Sequence, residues 1–434
     1  MSAGATRVAV RRRLPPGATI DPYTLAGAEG VVFDTGHRVL VGVGRALTVA
    51  LDGGLDDPDG LRRARQALAA IPYEDHSGLG GSGIVALGAL PFDRSAPGSL
   101  VVPEVTYGRE ADGSEWVTVL ATTTGDDPLG ELLAQARRPG AAAVTTSPAP
   151  VVEPLSSDAD FLEAVASAVE AIHGGRLSKV VLARQVDVHL GGAPDLPELL
   201  ARWRRLEPNC TVFSMPAGDG RFVGASPELL LARHGRDVLA RPLAGTSGQG
   251  SEATDTALRR SAKDAGEHRL VVEAIAAVLA PRCTSLDVPA RPELVHLHNV
   301  VHLGTTIQGV LREDGDHGVP TALDLVGALH PTPAVGGVPL AAALEAIDRL
   351  ESGPRGAYAG PVGYLDAEGD GEWVVGIRAA TLHGDTARLA AGVGIVDGSD
   401  PASELAETDL KFTAVFDALA PGARFSTAPA RTVV

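Results

Sequence analysis

Residues 31–50, VVFDTGHRVLVGVGRALTVA, run apolar in alternating, β-branched stretches broken by glycine, a pattern that predicts paired strands. Residues 83–92 and 115–122 predict further strands and 58–71 a helix, so the first third reads as a strand-rich layer. From 138 to 158 the chain changes to RPGAAAVTTSPAPVVEPLSSD, rich in Pro, Ala, Ser and Thr and without a period, which predicts a connection between two halves with a boundary near residue 155. DFLEAVASAVEAIHGG then has helical spacing, with Asp158 or Asp160 near its start and Gly174-Gly175 as its stop. Strands are expected over SKVVLARQVDVHL, over GRFVGASPELLLARHG with a tight turn at SPE, and at 294–303, 358–366, 372–383 and 387–396. Helices are expected at 264–280, 339–349 and 401–419. Strands grouped in hairpins with helices between the groups predict an α+β fold with large stacked antiparallel sheets and flanking helices.

Composition narrows the function. The chain has 434 residues, 44% hydrophobic and 21% charged, enough apolar material for a large core. Asp plus Glu number 54 against 37 for Lys plus Arg, a net charge of −17 that repels nucleic acid and anionic membranes. Two cysteines, Cys210 and Cys283, supply neither a disulfide framework nor a thiolate metal site. No apolar run reaches membrane-span or signal-peptide length, so a soluble, cytoplasmic protein is expected, and the triplet Arg11-Arg12-Arg13 reads as a solvated start of chain or strand edge.

Several motifs invite chemistry and lack its context. Gly42-x-Gly44 is not a dinucleotide loop, and neither a phosphate-binding GxxxxGK[ST] nor a GxSxG nucleophile elbow occurs. His296, His298 and His302 are separated by even numbers of positions, so one strand would put all three on a single face, as a zinc site could require; with apolar residues between them, ordinary strand histidines are the expectation, one of them bordering a pocket. The C-terminal stretch is more informative. Asp400-Pro401 supplies an N-cap and a first-turn proline, and at about 100° per residue Glu404, Glu407 and Lys411 fall on one side, which continues as Val415, Ala418 and Leu419. Asp409, Thr413 and Asp417 make the opposite, solvent side. Carboxylates turned inward need a cation or hydrogen-bond donors. A divalent ion would satisfy them; the bland alternative is a Glu407–Lys411 surface pair worth about 0.3–0.5 kcal/mol. A second helix, capped by Ser261, places Glu267 on the face of Leu270, Val271, Ala274 and Val278, and two inward carboxylates from separate helices form the hard-oxygen set that Mg²⁺ accepts. Lys179 and Glu228, taken singly, read as edge and turn residues.

The strings SKVVLAR, FVGASPELLL, RPLAGT, SAKDAGEH, HPTPAVGG, YAGPVGYLD, GEWVVGIRAA and AAGVGIVDGSDPASELAETDLK follow one another over roughly residues 155–420. In this order they resemble the chorismate-utilising enzymes, and among them the isochorismate synthases. The resemblance implies an anthranilate synthase component I-like fold, with residues 1–154 a strand-rich portion of it, 155–421 the chorismate-binding region and 422–434 a flexible tail. It implies Lys179 as the base that activates water for attack at C2 of chorismate and Glu228 as the acid that protonates the departing C4 hydroxyl. An ordinary lysine pKa near 10.4 makes a base costly, about 4.6 kcal/mol at pH 7, so desolvation or a nearby positive charge is expected to help. Glu267 and Glu407 match Mg²⁺ ligands with Glu404 as a third carboxylate, and Arg378 matches the fork that grips the enolpyruvyl carboxylate. Gly245, Thr246, His302, Ala334, Tyr358, Gly392, Gly394 and Lys411 fall among the substrate-binding positions.

Position 179 separates the chemistries of this family. Anthranilate synthases usually carry glutamine there, and aminodeoxychorismate synthases place a nucleophilic lysine where this chain has Ala244. An amine-adding reaction and a glutaminase subunit are therefore not expected. Salicylate synthase, which shares the lysine and goes on to release pyruvate, is the alternative; Ala334 resembles the isochorismate synthase pattern, salicylate synthases tending to threonine there. A non-catalytic chorismate-binding paralogue is a further alternative. The resemblance implies a product that enters menaquinone or siderophore synthesis, and a monomer or weak homodimer.

Overall fold

The computed structural model describes residues 8–15, 20–79, 81, 83–121, 149–248, 252–313 and 318–427. Most of the proline-rich connection expected at 138–158, and the end of the tail expected at 422–434, lie outside these residues. Two large sheets and one small one carry the fold. The thirteen-stranded sheet runs from Tyr73–Asp75 through Val8–Arg13, Glu115–Ala121, Val105–Arg109, Val39–Val43, Val31–Asp34, Thr211–Ala217, Gly220–Ser226, Ala379–His383, Thr386–Ile395 and Lys179–His189 to Val151–Pro154, with Gly337–Val338 also paired to Lys179–His189. The nine-stranded sheet runs from Cys283–Asp287 through Ile307–Leu311, Asp237–Arg241, Leu229–His234, Gly371–Val375, Pro361–Asp366, Val85–Ala89 and Gly98–Val102 to Leu47–Leu51. A three-stranded sheet joins Leu243–Gly248, Val300–Gly304 and Glu293–His296. This is the expected α+β architecture of stacked, largely antiparallel sheets, with one parallel pairing between Val8–Arg13 and Tyr73–Asp75. Both large sheets contain strands from both sides of residue 155, the earlier strands forming a block at one end of each sheet, with Val151–Pro154 alone at the opposite edge of the larger one.

Several stretches that read as continuous strands or hairpins instead change sheet. Val39–Val43 lies in the thirteen-stranded sheet and Leu47–Leu51 in the nine-stranded one, the chain turning at Gly44, whose φ of +72° suits glycine. The SPE segment is not a hairpin turn: Gly220–Ser226 belongs to the larger sheet and Leu229–His234 to the smaller, so Pro227 and Glu228 sit at the crossing. The run expected at 372–383 also splits, into Gly371–Val375 and Ala379–His383, with Gly376, Ile377 and Arg378 between the sheets. Ser226 Oγ donates to Val375 O at 2.6 Å and Val375 N–H to Glu228 O at 3.0 Å, tying the two crossings together.

Helices cover the sheets where caps and apolar stripes direct them. Asp400 accepts from Ser403 N–H and opens Pro401–Leu419; Ser261 does the same for Asp264 N–H and opens Ala262–Leu279. The helix Asp158–His173 is capped by Ser157, not by Asp158 or Asp160, because Ser157 and Asp160 close a reciprocal capping box. Leu196–Leu206 was not anticipated, although Asp195-Leu196-Pro197 repeats the cap-and-proline signature and Leu196, Leu199, Leu200 and Trp203 form its buried stripe. Arg11 is buried, its guanidinium 4.3 Å from the Trp116 ring and 3.8 Å from Asp75, so the basic triplet is not simply solvated: strand alternation turns its first member inward. Among the described residues, no helix is long and apolar enough to cross a membrane.

Phe412, Val415 and Phe416 of the C-terminal helix pack with Ala391, Val186 and Val212 of the larger sheet in one apolar cluster. Phe416→Ala should empty a fully buried site and lower the unfolding free energy by about 3–5 kcal/mol. The check is a drop in urea midpoint at unchanged slope; a loss below about 1 kcal/mol would show that this seam does not hold the helix.

Candidate active site

The two sheet crossings, the small sheet and two helices enclose one cavity. Of the residues singled out from the sequence, Glu228, Gly245, Thr246, Glu267, His302, Ala334, Tyr358, Arg378, Gly392, Gly394, Glu404, Glu407 and Lys411 all line it. Lys179 is wholly buried behind this lining, its Nζ 2.9 Å from Glu267 Oε1. A larger cleft of about 910 Å³, bordered by Arg38, Tyr364, Asp366 and Glu372, lies elsewhere and holds none of these side chains.

Local structure explains how each group arrives. Strand Lys179–His189 pairs with Thr386–Ile395 along its length, but Ala379–His383 reaches only as far as the Ala380–Leu389 pair on the other side. The main chain of residues 390–395 is therefore left without a ladder partner on that side, and the C-terminal helix fills the gap. Lys411 Nζ donates to Gly392 O at 2.7 Å there. Gly394 leaves no room for a side chain: a Cβ on it would stand 2.3 Å from Glu267 Oε1 and 3.1 Å from Lys179 Cε. Arg355, ion-paired with Glu351, donates to Val181 O at 2.8 Å and Val335 O at 2.7 Å, binding the Lys179 strand to the Ala334 loop.

Burial sets the electrostatics. Glu228 is 4% exposed and bonded by the Leu243 main chain; desolvation pushes its pKa up to about 7, against the opposing pull of that bond, Lys179 and Lys411, so a substantial fraction carries a proton at neutral pH. Burial also raises Glu404, which Lys263 meets at 2.9 Å, and Asp264, to which the charges of Glu267 and Glu407 add. Burial would raise Glu407 as well, but Lys411 at 2.7 Å brings it below its ordinary value. His302, pushed down to about 3 by burial and by the positive charges of Arg378 and Lys411, is neutral; its Nδ1 lies 3.1 Å from Thr246 Oγ1 and its Nε2 3.5 Å from Arg378 Nη2. Arg378 has φ +54°, a strained conformation for a side-chain-bearing residue, and its buried Nη1 finds no hydrogen-bond partner among the described residues.

Not every expectation from the sequence survives. The three histidines do not share a face, because Glu293–His296 and Val300–Gly304 are two strands of a hairpin. His296 is half-exposed beside Asp255, His298 lies in the turn, and only His302 enters the cavity. The buried stripe of the Ser261-capped helix is His268, Val271, Ile275 and Leu279, with Glu267 at its cavity-facing flank. Asp409 does not simply face solvent: its carboxylate lies 2.7 Å from Arg184. Lys263 and Asp264 were missed as cavity residues; the helical register that placed Glu267 inward puts Asp264 one turn before it on the same side.

The donor set suits a hard divalent cation. Glu267 from one helix and Glu404 and Glu407 from another reach the same cavity, and each carboxylate is now faced by a lysine. Among the described residues, the only acidic group whose oxygens already lie within 4.8 Å of one another is Asp366, Glu368 and Asp370, outside this cavity, so an ion here would draw the three glutamates closer.

Proton transfer is the chemistry such a cavity supports, since a carboxyl with its pKa raised toward neutrality lines it, a buried lysine lies directly behind the lining, and a guanidinium N–H there has no partner among the described residues. By fold and cavity this is a protein with an enclosed site in which buried acids and cations face the same small space. Comparison with known proteins narrows this. The family described as "Chorismate binding enzyme" matches residues 33–420. Isochorismate synthase DhbC of Bacillus subtilis is 34% identical over 396 residues, covering 88% of this chain and 92% of that one. MenF, the menaquinone-specific isochorismate synthase of Escherichia coli, superposes with a TM-score of 0.76 at 26% identity, covering 95% and 94% of the two chains. Anthranilate synthase component I of Streptococcus pneumoniae shares the fold, with a TM-score of 0.74 at 23% identity over 87% and 92%. The chain belongs to the chorismate binding enzyme family.

Gly394→Ala should cost about 100-fold or more in kcat/KM, because its methyl must displace Glu267 or Lys179 by about an ångström. The melting temperature should move by only a few degrees; wild-type turnover in this variant would show that the close contact is irrelevant.

Proposed function

We propose that the protein is an isochorismate synthase, converting chorismate to isochorismate by adding water at C2 and expelling the C4 hydroxyl. The observation that carries the reading is Glu228: a carboxyl whose pKa burial raises to about 7, in the cavity behind whose lining Lys179 lies. Hydroxide leaves poorly and water attacks poorly, so one group must give a proton while another takes one. Lys179 accepts a proton from the water that forms the new C2–O bond. The ring double bonds shift, and Glu228 passes its proton to the C4 oxygen, which departs as water. Lys179 then returns a proton to solvent and Glu228 regains one, so the reaction is a net isomerisation.

Arg378 binds the enolpyruvyl carboxylate through the Nη1 that otherwise lacks a partner, with neutral His302 as its neighbour. Glu267 and Glu407, with Glu404 nearby, would hold Mg²⁺, and the ion would supply positive charge to neutralise the ring carboxylate. Relatives named as isochorismate synthases support the same reading. A lysine at position 179 favours water over ammonia as the nucleophile, so no glutaminase subunit is required.

Purified protein incubated with chorismate and Mg²⁺ should give isochorismate as the chromatographic product. Lys179→Ala and Glu228→Gln should each lower kcat by about 10²–10⁴-fold with the fold retained, and exhaustive chelation should stop turnover. Salicylate with pyruvate, anthranilate on adding ammonium, unchanged chorismate, or undiminished rates in either variant would each overturn the assignment.

A further inference from the structure

The strand that carries Lys179 carries on its other face an arginine that the chemistry above does not use. Arg184 is 2% exposed. Its Nη1 donates to Thr408 Oγ1 at 2.9 Å and to Asp409 Oδ1 at 2.7 Å, while Nη2 pairs with Asp158 at the start of the helix Asp158–His173. The rings of Phe161 and Phe412 flank the guanidinium at 5.6 and 5.8 Å. Thr408 is fully buried and hands its own proton to Leu405 O at 2.7 Å, which leaves its oxygen free to accept from Arg184.

These anchors immediately follow Glu407 in the C-terminal helix, with Glu404 one turn before and Lys411 one turn after. A helix that slips by one residue turns through about 100° and moves about 1.5 Å, which would carry all three cavity groups out of register. Apolar packing of Phe412 and Phe416 is non-directional and resists such a turn only by shape. A planar fork holding two consecutive side chains resists both rotation and sliding, as a lysine could not.

We propose that Arg184 is a positioning residue: bound to the strand of the base, it sets the rotation of the C-terminal helix and thereby aims Glu404, Glu407 and Lys411 into the cavity. The inference rests on the reading of Glu267, Glu404 and Glu407 as Mg²⁺ ligands. Asp158 supplies a control, since it holds the same arginine from the helix Asp158–His173 and not from the C-terminal helix. Arg184 itself is too buried to remove cleanly, so the variants are Asp409→Ala, Thr408→Val and Asp158→Ala.

Mg²⁺ alone, titrated calorimetrically into the full-length protein, should bind about tenfold more weakly to Asp409→Ala and to Thr408→Val. The KM for chorismate should rise by a similar factor, with kcat less affected. Asp158→Ala should keep Mg²⁺ affinity and KM within about twofold of wild type while losing as much thermal stability as Asp409→Ala, because it breaks a bond of the same kind. Equal Mg²⁺ affinity in all three variants, or equal weakening in Asp158→Ala and Asp409→Ala, would reduce the arginine to a structural tie and overturn the proposal. If the wild type left chorismate unchanged and the Mg²⁺ contrast persisted, the proposed reaction would fail and the positioning role would stand.

Discussion

An ionised group taken out of water must find a partner or give up its charge, and around this cavity both outcomes occur. Glu267, Glu404 and Glu407 keep company with Lys179, Lys263 and Lys411 at 2.9, 2.9 and 2.7 Å. Glu228 has no such close cation; a main-chain donor and the more distant lysines do not offset its desolvation, and its pKa rises to about 7. The same rule thus divides four glutamates into three that pair with lysines and one whose pKa burial raises to about 7. The carboxylates that anchor lysines are suited to exchanging them for a metal, and the neutral one is suited to giving its proton away.

The backbone makes that division possible by crossing between sheets at the right residues. Glu228 and Arg378 both lie where the chain leaves one large sheet for the other, and the Ser226–Val375 and Val375–Glu228 bonds join the crossings. Residues within a ladder alternate between two faces, whereas residues at a crossing reach the space between the sheets. The strained φ of Arg378 belongs to the same geometry: the turn that moves the chain across also holds a guanidinium with an unused donor over the cavity.

Much of this was readable in the sequence where a local rule operates. Asp400-Pro401 placed the start of the C-terminal helix, and its register put Glu404, Glu407 and Lys411 on a common side. Long-range pairing was harder to read. Periodicity shows that 220–235 and 372–383 are extended but not that each divides between two sheets, so the SPE segment resembled an ordinary turn. The histidine run misled for a related reason, since a hairpin reversal at His298 has the same spacing as a straight strand. Asp409 and Arg11, polar and near the expected surface, owe their environments to partners far away in the chain, Arg184 and Trp116. Lys263 was missed because nothing local distinguishes a lysine over a cavity mouth from one in solvent.

As the proposed acid, Glu228 must enter the reaction carrying a proton that burial allows it to keep. The pH dependence of kcat/KM for chorismate tests this most directly, because it reports groups of the free enzyme. A carboxyl raised to about 7 acts as an acid below that pH and loses its proton above it, so the profile should fall on the alkaline side with an apparent pKa of about 7. A rate that stays level through mildly alkaline pH, or that falls only on the acid side near ordinary carboxylate values, would contradict the account.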